Sequence, residues 1–218
     1  MVVLAGQPGE QVLATVGRSL NVVLVRAETP SSSAAAGSAG SEVETAAGAL
    51  RRAAGISAPY VLVAADPLSG VAAAWQEMWE ITAESHGSDE FELRAAEALA
   101  AWRAKRFELP DYYLVLAEET RGAGAAGAPG VPASAASGAG ERRADFYLGP
   151  LRSVRPNRVS VAAGATPAAQ ADALLSELAS LPHGPWWPPL DEVFRTARGF
   201  YPGSLAESPG AGQATLLA

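Results

Sequence analysis

The sequence predicts an α/β domain, because short, almost wholly apolar runs alternate with longer segments of helical periodicity, and several of those segments open on recognisable helix starts. Residues 20–25 (LNVVLV), 59–64 (PYVLVA) and 111–118 (DYYLVLAE) each have the length and near-continuous apolar character of a strand buried on both faces. After the first, Ser41 and Glu44 stand at capping-box spacing and open a helix to about Ala54, which Gly55 closes. After the second, Asp66 offers a carboxylate N-cap and Pro67 the fixed φ of a first helical position. Leu68, Val71, Trp75, Met78 and Trp79 then recur at spacings of three and four, which places them on one stripe. Ser88 caps a third helix over residues 89–106, buried through Phe91, Ala95, Ala98, Leu99 and Trp102.

Strand, helix, strand, helix pair, strand is the order of parallel βαβ units. Beyond them, residues 145–149 (DFYLG) and 158–162 (RVSVA) read as two strands joined by a turn at Arg155-Pro156-Asn157, an antiparallel hairpin at the sheet edge. Thr166-Pro167 caps a long helix to about Leu181 whose Leu174, Leu175, Leu178 and Leu181 face the core, and a shorter helix from Leu190 to Arg198 ends the fold. The expected architecture is therefore a three-layer mixed sheet of five to six strands, mostly parallel in its N-terminal half, with an added hairpin and two C-terminal helices.

The 218 residues suit one domain, and a chain of this size buries roughly 70% of its unfolded surface. We place that domain at residues 1–206, with dilute Ala/Gly/Ser inserts at 29–40 and 121–140 and a flexible tail at 207–218, since these stretches lack the large apolar side chains that offset ordering entropy. The composition is skewed, with 48 Ala, 15 Arg, a single lysine (Lys105) and no cysteine. Disulfides, thiolate metal sites and thiol chemistry are thereby excluded. A net charge of −7 argues against nucleic acid and anionic membranes as partners, and no apolar run reaches the length of a membrane span. The amino end carries no basic targeting region, so a cytoplasmic protein is expected.

Motifs for chemistry are few. Residues 122–127 (GAGAAG) match GxGxxG, but Pro129 and Pro132 forbid the helix whose amino end would receive a pyrophosphate. His86 and His183 are the sole histidines, and His86 lies in a polar break with nothing nearby to tune it. Asp66 stands near the carboxyl end of a buried strand, where open α/β sheets bind ligands, with Ser69 a turn away. Capping explains Asp66 better, Ser69 reads as a first-turn residue, and the G-x-S-x-G elbow is missing. No metal site and no cofactor are implied.

Two features stand out. Five arginines in 18 residues, among them Arg152, Arg155 and Arg158, give residues 141–158 a charge of +3 inside a chain whose remainder carries −10. Such a patch suits an acidic segment or a phosphorylated ligand, although an edge strand protected by charge would look the same. The second is Trp186-Trp187 among four prolines, a stiff segment whose two indoles point to opposite sides. These lead to one expectation and one rival. The first is a non-catalytic protein-binding domain, an assembly factor or complex subunit, contacting another protein through Arg152, Arg155, Arg158, Trp186 and Trp187. The second is an enzyme on a phosphorylated or acidic small molecule, using Asp66, Ser69 and His183 with Arg152 or Arg155 holding the anion. A concave pocket at the strand ends containing Asp66 and arginine favours the enzyme; a flat, exposed Trp/Arg surface favours the binding domain.

Overall fold

The computed structural model describes residues 1–6, 9–27, 39–79, 87–118 and 143–201. At the centre of the sheet lies β1 (Val2–Ala5), four fully buried residues that make a shorter apolar run than the other strands. It is followed by α1 (Glu10–Val16), β2 (Val22–Arg26), α2 (Ala39–Ala54), β3 (Tyr60–Ala64), α3 (Ser69–Trp79), α4 (Gly87–Arg103) and β4 (Tyr112–Glu118). A helical stretch at 143–154, here α5, leads through a 3₁₀ turn (Pro156–Arg158) to β5 (Val159–Gly164), α6 (Pro167–Ala179) and α7 (Leu190–Gly199).

The sheet has five strands in the order β2-β3-β1-β4-β5, and every pair is parallel. The expected antiparallel hairpin is not formed. Residues 145–149 are helical, and Val159 pairs with Tyr113 in a parallel register that continues to Gly164 opposite Glu118. The physical reason is topological: two neighbouring parallel strands need a crossover of a dozen or more residues, and α5 belongs to it. Its middle turn, Tyr147–Leu151, is a π-helix containing Pro150. Proline has no amide hydrogen to give a regular helical bond, and the wider turn accommodates it.

Helix starts depart from expectation in three places, one of them α4, which begins at Gly87 and so takes in Ser88, the expected cap. Helix α2 begins at Ala39, so Ser41 lies inside it, and the Glu44 carboxylate pairs with Arg106 instead of closing a capping box. Asp66 still accepts the Leu68 N–H, at 2.9 Å, but in a turn preceding α3, whose first helical residue is Ser69. Lys105 is placed just past α4 in the left-handed region (φ 54°), where its N–H and that of Arg106 bond back to Trp102 and Ala101 in a Schellman closure. Elsewhere the local signals hold. Thr166 caps α6 through its side chain, accepting from Ala169 N at 3.2 Å, and Leu174 and Leu178 are buried.

Strand alternation divides the core into two clusters. Val2 and Leu4 of β1 join Val12, Leu13 and Val16 of α1 and Leu174 and Leu178 of α6, whereas Val3 and Ala5 join side chains of α2, α3, α4, α5 and α7. The chain therefore leaves β1 toward the α1 cluster and leaves its neighbour β3 toward the α3 cluster. The gap between the carboxyl ends of β1 and β3 is a topological switch point, the place where open parallel sheets leave a crevice. Among the described residues no helix is long and apolar enough to cross a membrane.

Candidate functional site

A cavity of about 280 Å³ opens at that switch point. It is lined by Leu4 and Gly6 of β1 and the turn after it, Ala27 beyond β2, Ala64 of β3 with Ala65 and Asp66 beyond it, Glu42, Thr45 and Ala46 of α2, Ser69 of α3 and Arg143 of α5. Gly6 adopts φ 94°, a backbone conformation that an L side chain resists, so glycine is required where β1 turns out of the sheet into the cavity wall.

Asp66 is the most perturbed acid in the cavity. Oδ1 accepts from Leu68 N and Oδ2 accepts the Tyr147 hydroxyl. Burial disfavours the charged form and outweighs these two hydrogen bonds; with the nearby Glu42 carboxylate adding to it, the Asp66 pKa rises to about 6. Tyr147 is fully buried and its phenol is pushed well above 10, first by burial and then by the Asp66 charge. Tyr113 lies behind it with ring centroids 5.5 Å apart, is raised for the same two reasons, and its buried hydroxyl has no hydrogen-bond partner among the described residues. Both phenols thus stay protonated around neutral pH, and Tyr147 is a fixed donor to Asp66.

Ser69 Oγ lies 2.8 Å from Glu42 Oε1 and 2.8 Å from the Asp66 carbonyl, so its hydroxyl ties α2 to the β3 turn. Among the described residues no imidazole stands beside it. His183 is exposed at the opposite end of the sheet, where its carbonyl accepts from Asn157 just before β5, and His86 lies outside the described residues. Asp66 and Ser69 are therefore brought together, and His183 is not.

The arginine cluster is divided in the same way. Helix α5 runs from the carboxyl edge of the sheet toward the amino edge, with Arg143 at its start and Arg155 just past its end. Arg143 lines the cavity, half-buried, and forms no salt bridge among the described residues. Arg152 is exposed at the far end. Arg155 donates to the Trp186 carbonyl at 2.6 Å and to that of Val154 at 2.8 Å. Arg158 is buried: its guanidinium donates to the carbonyls of Pro185 (3.1 Å), Asp111 (3.1 Å) and Gly184 (2.7 Å) and lies over the rings of Tyr112 and Trp186, 5.0 and 4.9 Å from their centroids. Trp187 is also buried, donating to the Pro110 carbonyl at 2.7 Å, while Trp186 keeps half its surface exposed. Arg158 and Trp187 thus fasten the 182–187 segment to the sheet.

Arg143, Tyr147 and Glu42 complete a site of which sequence reasoning singled out only Asp66 and Ser69. Arg143 was visible only as one member of a cluster, and Tyr147 was hidden by the strand-like pattern DFYLG. Among the described residues no three His, Cys, Asp or Glu side chains gather as a metal site would require. The GAGAAG motif at 122–127 lies outside the described residues. The chain matches no protein-family model, no curated protein and no solved structure.

Proposed function

We propose that the cavity at the β1/β3 switch point binds a small acidic molecule, with Arg143 as its anion anchor and Asp66 as the acid–base group beside it. One observation carries this reading: a half-buried arginine with no carboxylate partner among the described residues and a desolvated carboxyl line the same concave space. Arg is suited to bidentate binding of carboxylate or phosphate oxygens, and a carboxyl poised near pH 6 exchanges a proton readily around neutrality. Ser69 and Tyr147 hold the Asp66 turn from either side. A panel of small carboxylates and phosphate monoesters, titrated by NMR or calorimetry, is expected to yield at least one ligand whose binding disappears in Arg143→Gln. A panel in which no compound perturbs the cavity residues would overturn the reading.

A protein-contact function rests on a separate observation: Trp186 presents half its surface to solvent while Arg158 beneath it fixes the indole, with exposed Arg152 following α5's π turn at the same end of the sheet. Rigid, half-exposed tryptophan is favoured at protein interfaces. Loss of a captured partner on Trp186→Ala, with the fold intact, supports this reading. Equal recovery by both proteins removes it.

A further inference from the structure

The cavity holds both signs of charge without pairing them. Elsewhere, carboxylates within reach of arginine form ion pairs: Glu10 with Arg26, Glu44 with Arg106, Glu90 with Arg94 and Glu92 with Arg198. Glu42 and Asp66 do not. Among the described residues Glu42 Oε1 meets the Ser69 hydroxyl, Asp66 meets Leu68 N–H and Tyr147, and Arg143 meets neither acid, although all three line one space. Glu42 stands close enough to Asp66 to add to the rise of its pKa, and a purely anionic ligand at Arg143 enters a cavity that already holds both carboxyl groups. A ligand with a cationic group as well relieves that opposition.

Building on the small-acid reading above, we infer that the ligand is dipolar, a molecule of amino-acid size whose carboxylate or phosphate is held by Arg143 and whose ammonium lies against Glu42 and Asp66. The cavity of about 280 Å³ is large enough for such a molecule. Ser69, already bonded to Glu42, keeps that carboxylate turned toward the Asp66 turn.

The test uses the full chain and a series of ω-amino acids from glycine to 6-aminohexanoate, each paired with the amine-free carboxylate of equal length and with inorganic phosphate as a further anion, followed by NMR titration. One chain length is expected to bind about tenfold or more tightly than its amine-free partner, the gain of one charge-assisted contact. Glu42→Gln, a change on the exposed side of α2 that leaves the core untouched, is expected to erase that gain while leaving carboxylate binding in place; Arg143→Gln is expected to lose both. Equal binding of amino acids and plain carboxylates would refute the dipolar ligand and leave the acidic-ligand reading standing. If no amino acid, carboxylate or phosphate shifts the cavity signals, both fall.

Discussion

Tyr147, on the π turn of α5, donates its phenolic hydrogen to Oδ2 of Asp66, on the turn after β3, across 81 residues of sequence. The bond joins the π-helical turn of α5 to the carboxyl edge of the sheet, and it opposes the burial that raises the Asp66 pKa. Tyr147→Phe removes a donor that favours the charged carboxylate, so the Asp66 pKa is expected to climb further above 6, by roughly one unit. Carboxyl carbon chemical shifts followed against pH measure this directly; an unmoved titration would show that the hydroxyl does not act on the acid.

The same perturbation fixes the sign of a stability effect. A carboxyl whose pKa is about 6 in the folded protein and 3.8 ordinarily holds its proton more tightly when folded. Its contribution is therefore intact below about pH 4 and is lost as pH rises through 6, leaving a cost of about 2–3 kcal/mol at neutral pH. In urea unfolding, the stability difference between the wild type and Asp66→Asn is expected to change between pH 4 and 7 in favour of the variant. A difference that stays constant across that range would mean that Asp66 ionises freely.

Arg158 carries a structural load that lysine cannot assume. Three carbonyls and two aromatic rings surround one planar guanidinium, and an ammonium cannot address all of them from one position. Arg158→Lys is expected to destabilise the fold by about 2 kcal/mol and Arg158→Met by about 3 kcal/mol, since carbonyls lose their donors. Denaturant midpoints within experimental error of wild type would show that the 182–187 segment is held without it.

The adjacent tryptophans are expected to behave oppositely. Trp187 is packed against Tyr113 with its indole N–H bonded, so Trp187→Ala should cost about 3–4 kcal/mol. Half-exposed Trp186 should cost about 1 kcal/mol on the same substitution. Thermal unfolding of the two variants separates these cases, and comparable losses would place both indoles in the core.

Gly164, at the end of β5, is a steric requirement. A Cβ there would stand 2.5 Å from Gln170 N and 2.7 Å from the Ala169 carbonyl carbon, both backbone atoms of α6. Gly164→Ala is expected to displace α6 from the sheet and to lower stability by about 2–3 kcal/mol. A calorimetric transition unchanged from wild type would contradict this close approach.

The legible parts of this fold are those in which local and tertiary preferences agree. Thr166-Pro167 names the start of α6, and the stripe from Leu68 to Trp79 names the buried side of α3, because cap chemistry and helical period are local facts. β1 escapes notice because four residues ending at a glycine carry little periodic signal, although the strand is central once β3 and β4 flank it. The stretch 145–151 misleads because its aromatic residues favour strands and Pro150 disfavours a regular helix; the demand for a parallel crossover overrides both. For the same reason Asp66, set by its strand end, could be anticipated, whereas Arg143 could be told from Arg152 only once α5 had carried them to opposite edges.

The placement of β1 has a kinetic consequence. Its register partners begin at Leu62 on one side and Tyr112 on the other, so its two edges are satisfied by residues 60 and 110 positions away from Val2. Both pairings are non-local, and until β4 is in place one edge of Val2, Val3 and Leu4 stays unpaired even when β3 has docked on the other. Slow closure of the sheet around its central strand is built into this strand order, whatever the cavity at its edge binds.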